Sequence, residues 1–223
     1  MPALVTLGKI VITLALMLFV MRQCRRPSSW LGRSLARSMN ASHDALTQWG
    51  LSHLPSGPRA NVLDVGCGGG RTIEKLVAEL PDGKVFGVDY SPASVAVARE
   101  RNRSSIERGR VEIHEASVSS LPFPDATFDL VTAVETHYYW PSLPNDVREV
   151  QRVLGPGGTF IIIAETYRGR KNDWLYRPVM QGVLRANYLT PEEHRRLLSD
   201  AGYRDVQVLE EKARGWICAI GSR

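Results

Sequence analysis

The pattern of apolar and polar positions divides the chain into three parts. Residues 3–21 (ALVTLGKIVITLALMLFVM) form the most apolar stretch, broken only by Lys9. Residues 22–60 are a basic lead-in, with a helix expected over residues 41–54 before the breaker Pro55-Ser56-Gly57-Pro58. From residue 61 onward, short apolar runs alternate with amphipathic ones. Strands are expected at Asn61–Val65, Lys84–Asp89, Arg110–Glu115, Phe128–Val134 and Thr159–Glu165, with helices between them at Arg71–Leu80, Pro92–Arg103 and Asp146–Leu154. Strands that are apolar along their whole length, alternating with helices, predict a parallel sheet covered on both faces, that is, a doubly wound three-layer α/β/α fold. Thr190-Pro191-Glu192-Glu193 is a helix start, with Thr as N-cap, Pro at the first helical position and acids in the first turn. That helix is expected to end at Gly202, and two last strands near Asp205–Leu209 and Trp216–Ile220 complete residues 61–223 as one domain.

The apolar segment changes the picture of where such a domain works. Nineteen residues at helical rise reach about 28 Å, close to a bilayer core, and Lys9 can snorkel toward the nearer end. Arg22, Arg25 and Arg26 follow at once, so residues 1–21 are read as a membrane anchor with the rest of the chain in the cytoplasm. A cleaved signal peptide fits less well, because the charges follow the apolar run. The alternative is a soluble cytoplasmic protein beginning at Met21.

The net charge of +5 has the same origin. Residues 1–40 hold six basic side chains (Lys9, Arg22, Arg25, Arg26, Arg33, Arg37) and no acid, which leaves 22 basic against 23 acidic in the remainder. The folded part therefore lacks the basic face that a nucleic-acid substrate requires. Cys24, Cys67 and Cys218 form no paired spacing, which argues against a disulfide framework or a metal site.

The strand Asn61–Val65 runs into Gly66-Cys67-Gly68-Gly69-Gly70 and then a helix. Glycines at such a turn permit positive φ and let a ligand lie on bare backbone. A dinucleotide site has G-x-G-x-x-G, but the sixth position here is Arg71 and the glycines read G-x-G-x-G. Asp64, two residues before the first glycine, would repel a pyrophosphate and suits a ligand that carries an ammonium group. Asp89 ends the next strand, 19 residues after Gly70, near the spacing at which an acid meets a ribose hydroxyl pair. Its competing role, capping the next helix, is already filled by Ser91 before Pro92. Cys67 is read as a small packing residue.

The order V-L-D-V-G-C-G-G-G, G-V-D-Y-S, L-P-F-P-D-A-T-F-D-L-V-T-A-V-E (Leu121–Glu135) and R-V-L-G-P-G-G-T-F (Arg152–Phe160) resembles the class I S-adenosylmethionine-dependent methyltransferases, particularly the small-molecule ubiquinone/menaquinone-biosynthesis branch. The resemblance covers about residues 60–165. It implies a Rossmann-like seven-stranded sheet with the last strand antiparallel, and S-adenosylmethionine as methyl donor with S-adenosylhomocysteine as product. Carried over residue by residue, Asp64 would orient the methionyl end, and Gly66, Cys67, Gly68 and Gly70 would form the cofactor turn. Asp89 would hold the ribose hydroxyls and Tyr90 would pack on the adenine. Val134 and Glu135 would border the sulfonium. The family's usual acid four residues before the L-P-F leucine is Ser117 here, so the adenine amino contact would pass to a hydroxyl, with the amide of Val118 beside it.

The acceptor side is expected at Glu135-Thr136-His137-Tyr138-Tyr139-Trp140, where doubly wound sheets open their crevice. His137 is the candidate base by its intrinsic pKa, with a pocket residue lacking any proton role as the alternative. Tyr138, Tyr139 and Trp140 favour a small apolar or aromatic acceptor, or else cap the core. Residues 167–187, rich in Arg, Tyr and Trp, are read as part of an acceptor lid. His43, Asp44 and His53 in the lead-in helix could approach the cofactor mouth, but are read first as solvated or capping residues. Two other functions compete: a nicotinamide-dependent oxidoreductase, disfavoured by Arg71 and Asp64, and a non-catalytic S-adenosylmethionine-binding, membrane-associated protein.

Overall fold

A computed structural model describes residues 43–55, 60–80 and 82–223. The apolar stretch 3–21 and the basic residues that follow it lie outside the described residues. Among the described residues, no helix is long and apolar enough to cross a membrane.

The chain runs α1 (Asp44–Leu51), β1 (Asn61–Val65), α2 (Arg71–Glu79), β2 (Lys84–Asp89), α3 (Pro92–Arg101), α4 (Arg103–Glu107), β3 (Val111–Glu115) and β4 (Phe128–Val134). It continues through a single 3-10 turn (His137–Tyr139), α5 (Leu143–Val153), β5 (Leu154–Ala164), α6 (Asp173–Arg177) with a π turn behind it, α7 (Pro191–Asp200), β6 (Arg204–Glu211) and β7 (Trp216–Ser222). The seven strands lie in the order β3-β2-β1-β4-β5-β7-β6. All pairs up to β4–β5 are parallel, and β7 is antiparallel to both of its neighbours. This is the expected Rossmann-like sheet with its last strand reversed.

Side chains that alternate along each strand feed two cores, one on each face. Leu63, Val131, Phe160 and Ile162 pack with α5 and α7 residues such as Val147, Val150 and Leu198. Val62, Val85, Leu130, Ile161 and Ile163 pack with Ile73, Leu76, Val95 and Ala98 of α2 and α3, and with Leu46 and Leu51 of α1. Burial on both faces is why these strands read as continuous apolar runs.

Several boundaries differ from the expected ones for identifiable reasons. The lead-in helix is shorter, Asp44–Leu51. The helix after β2 stops at Arg101 because the Asn102 side-chain amide turns back to donate to the Gly70 and Ala98 carbonyls. α5 starts three residues earlier than expected, at Leu143, with Pro144 in its first turn. β5 begins at Leu154, where Phe128 pairs across a register irregularity. The start of α7 matches expectation fully: Thr190 Oγ1 accepts from Glu193 N–H at 3.1 Å, and the Glu193 carboxylate accepts from Thr190 N–H at 2.8 Å, a complete capping box.

Candidate functional site

β1 is the switch point of the sheet: β2 and β3 lie on one side of it, β4 and β5 on the other. Connections leave β1 and β4 in opposite directions there, which opens a crevice at their carboxyl ends. The cofactor turn sits at that crevice. Gly66, Gly68 and Gly70 all hold positive φ (72°, 52° and 77°). A Cβ on Gly66 would come within 1.9 Å of Thr136 Oγ1, and one on Gly70 within 3.0 Å of the Ala98 backbone. Gly66 thus lets the turn pass under the loop after β4, and Gly70 lets α2 begin against α3. The Gly66 and Cys67 N–H groups both donate to the Val88 carbonyl, at 2.7 and 3.0 Å, so β2 holds the turn from below. Cys67 is buried and its thiol is pushed well up, chiefly by burial, which leaves it a packing residue.

Two carboxylates lie beneath the turn. Asp64 is 2% exposed and accepts a 2.7 Å hydrogen bond from Thr132 Oγ1. Burial raises its carboxyl to about 7, opposed by the Thr132 hydroxyl and assisted by the charge of Asp89. Asp89 is buried as well. Its Oδ2 accepts from Gly68 N–H at 2.9 Å and its Oδ1 from Ser91 N–H at 2.8 Å. Burial raises its carboxyl too, against the pull of those amides. No basic side chain acts on either acid among the described residues. Ser91 Oγ caps α3 by accepting from Ser94 N–H at 3.3 Å, and Asp89 also meets this helix start through Ser91 N–H and the Ser94 side chain.

The remaining donor-side residues take these positions. Tyr90 is 40% exposed, directly after the buried end of β2. Ser117 is half-buried, and its hydroxyl accepts from Ser119 N–H at 3.2 Å, while Val118 is buried in the core. Val134 is half-buried at the end of β4. Glu135 follows it with φ of 60°, a left-handed backbone that a non-glycine residue adopts at a cost. Its N–H donates to the Ile163 carbonyl at 2.9 Å, and its carboxylate accepts from Glu165 N–H.

On the acceptor side the structure departs from expectation. His137, the expected base, has no exposed surface. His194 Nδ1 lies 2.8 Å from the Thr190 carbonyl, which assigns the proton to that nitrogen and makes His194 Nε2 an acceptor. His137 Nε2 lies 3.3 Å from it and donates, which leaves His137 Nδ1 without a partner. Burial, with His194 adding to it, holds the His137 ring well below 6.5. His137 is a neutral brace between the turn after β4 and α7. Tyr138 is also structural: its hydroxyl donates to the Thr166 carbonyl at 2.8 Å and accepts from Thr166 N–H at 3.2 Å. Trp140 stacks on Phe160 in the core, and Tyr139 stays half-buried.

The structure instead brings together three side chains that the sequence reading left apart. His43 precedes α1, Glu135 follows β4 and Glu165 follows β5, and an imidazole nitrogen of His43 and a carboxylate oxygen of each glutamate all lie within 4.8 Å of one another. His43 Nε2 is 3.4 Å from a Glu165 carboxylate oxygen. A signal for part of this was present: A-V-E and I-A-E both place a glutamate directly after an apolar strand. β4 and β5 pair as parallel neighbours, Val134 beside Ile163, which puts both acids at the same end of the sheet, and the left-handed turn at Glu135 brings its carboxylate to Glu165 N–H.

A seven-stranded sheet in this order, with a glycine turn after β1 and an acid ending β2, is the Rossmann-like fold of methyltransferases. Residues 63–162 match the model of the methyltransferase domain family. The demethylmenaquinone methyltransferase of Symbiobacterium thermophilum is 39% identical over 107 residues, covering 48% of this chain and 43% of that one. The ubiquinone/menaquinone biosynthesis C-methyltransferase UbiE of Geobacter sulfurreducens is 30% identical, over 65% of this chain and 64% of its own. The chain spans 39–43% of the length of several other curated relatives that it matches. A SAM-dependent methyltransferase from Aquifex aeolicus shares the fold, with a TM-score of 0.68 at 21% identity, over 85% of this chain and 97% of that one.

Asp64 sets a pH dependence that stability measurements detect. Its folded-state carboxyl is raised from 3.8 to about 7, so between those values the folded chain holds a proton that the unfolded chain has released. Stability contributed by this group therefore falls as pH rises through that window. Asp64→Asn, which keeps an oxygen for Thr132, should show a denaturation midpoint that gains on the wild type from pH 4 to pH 7 and stays higher at pH 8. Parallel midpoints across that range would show that Asp64 is not a buried acid.

Proposed function

We propose that the chain transfers a methyl group from S-adenosylmethionine to a small, apolar or aromatic acceptor. The observation that carries this reading is the pair of buried, unneutralised carboxylates beneath a glycine turn. Asp64 suits the cofactor's ammonium and Asp89 its ribose hydroxyls, whereas a pyrophosphate would face two like charges. The residues present therefore fit this cofactor better than a dinucleotide. When bound, the cofactor supplies an electrophilic methyl on a sulfonium. The chain's part is alignment: Gly66, Gly68 and Gly70 give bare backbone, and Tyr90 offers an exposed ring for the adenine. Ser117 and Val118 flank that ring, and Val134 and Glu135 border the methyl's exit. Relatives named as quinone-biosynthesis methyltransferases support a hydrophobic aromatic acceptor. Residues 61–223 form the catalytic unit in this reading.

We also propose that this unit works at the cytoplasmic face of a membrane, anchored by residues 1–21 through a basic lead-in, residues 22–60. One feature of the described residues supports it. Five large hydrophobic side chains are exposed, and four of them (Trp174, Leu175, Tyr176, Val183) cluster in α6 and the π turn, beside Lys171, Arg177 and Arg185. A face that mixes exposed aromatics with exposed cations suits an anionic lipid surface.

Incubating the full chain with methyl-labelled S-adenosylmethionine and cell extract should label a small, organic-extractable product, identified by mass. Asp89→Ala should weaken cofactor binding at least 10-fold by calorimetry and slow labelling with it. Absence of label in every fraction would count against the enzyme reading. On flotation with vesicles containing phosphatidylglycerol, the full chain should rise with the lipid, and recovery wholly in the lipid-free fraction would refute the anchor.

A further inference from the structure

We infer that His43 is the general base of the acceptor site, held by Glu165, and that the acceptor carries a weakly acidic hydroxyl of the phenol or enol type. This rests on the methyl-transfer reading above and adds to it the proton acceptor and the class of nucleophile.

The placement of His43 is built from several elements. α1 lies directly on β5: a Cβ on Gly50 would come within 2.4 Å of Ile163 Cδ1, so a glycine is needed for this approach. At the other end of α1, Asp44 is clamped by Arg71 at 2.9 Å and Lys75 at 3.1 Å, both on the helix that follows the cofactor turn. The His43 carbonyl accepts from both the N–H and the hydroxyl of Thr47, each at 2.9 Å. These contacts bring an imidazole to the carboxyl ends of β4 and β5, on the crevice side where the cofactor turn ends. The same helix thus touches the donor half of the site and supplies a base to the acceptor half.

The surroundings of His43 suit proton transfer. Glu165 faces it from the end of β5 and Glu135 from the end of β4. Arg170, further along the chain, acts on Glu165, and Asp44 beside it is already engaged by Arg71 and Lys75. Burial works against the imidazolium, but the Glu165 carboxylate and the charge of Glu135 outweigh it and raise the ring above 6.5. Glu165 is in turn held below the usual carboxylate range, first by its hydrogen bond to His43. Glu135 is pushed up, first by burial and then by Glu165. An imidazole oriented by a carboxylate, with its basicity raised by that carboxylate, is an effective general base. His137, in contrast, is sealed in the core.

A lone pair of the acceptor oxygen forms the new O–C bond. The S–C bond breaks with its electron pair going to sulfur, which becomes a neutral thioether. The O–H proton passes to the His43 imidazole, and Glu165 stabilises the imidazolium. A weakly acidic hydroxyl gains from this help because its anion is a far better nucleophile than its protonated form, and the base removes the proton as the O–C bond forms.

The test uses the full chain, methyl-labelled S-adenosylmethionine and the phenolic fraction of cell extract, with wild type, His43→Gln and Glu165→Gln compared from pH 6 to pH 9. Both variants should bind S-adenosylmethionine within about 3-fold of wild type by calorimetry. Labelling by His43→Gln should fall at least 100-fold near pH 7, in the range typical of a lost general base, and its rise with pH should vanish. Glu165→Gln should label more slowly, and nitrogen-15 NMR should show its His43 ring titrating at lower pH than in wild type, a readout independent of turnover. If His43→Gln labels within 3-fold of wild type with the same pH limb, the base assignment is overturned while the methyltransferase reading stands. If wild type labels no phenolic product but labels another fraction, the hydroxyl assignment is overturned. If wild type labels nothing, the underlying reading fails and this inference with it.

Discussion

The rest of the site depends on one electrostatic constraint: Asp64 and Asp89 are held out of water, close enough for the charge of Asp89 to act on Asp64, under a turn made of left-handed glycines. Burying an acid without a cation is costly unless hydrogen bonds or protonation offset it. The structure uses both devices. Asp89 keeps its charge partly through the amides of Gly68 and Ser91, and Asp64 moves toward the neutral acid. A pocket arranged in this way favours an incoming cation and disfavours an anion. That preference, more than the number of glycines, separates S-adenosylmethionine from a dinucleotide. The fold serves this constraint, since β2 holds the turn through Val88 and α3 meets it through Asn102.

Much of this was legible in the sequence because it is local. β1, β2 and β4 begin and end where their apolar runs do, and the starts of α3 and α7 are announced by Ser91-Pro92 and Thr190-Pro191. The donor residues are legible for the same reason, since each lies within a few positions of a strand end. What failed to show depends on contacts between distant segments. Asn102 reads as an ordinary helical residue until its amide is seen reaching Gly70. His137 has the right chemistry for a base, and only its pairing with His194 shows that it is interior.

The acceptor half illustrates the same limit from the other side. Glu135 and Glu165 are each unremarkable in sequence, and His43 reads as a solvated residue near a helix start. Their meeting requires the strand order, the close approach of α1 to β5 at Gly50, and the clamp on Asp44. Long-range packing therefore decides which titratable groups share a site. Periodicity and motif spacing decide only which end of the sheet they occupy.

The most direct test of the central claim is proton linkage in cofactor binding, measured calorimetrically at pH 6 in buffers of different ionisation enthalpy. Asp64 is largely protonated there and must give up its proton as the ammonium group arrives. The account predicts that S-adenosylmethionine binding releases close to one proton at pH 6, that the release disappears by pH 8 and in Asp64→Asn, and that NAD binds far more weakly. Binding without proton release at pH 6, or NAD bound as tightly, would contradict it.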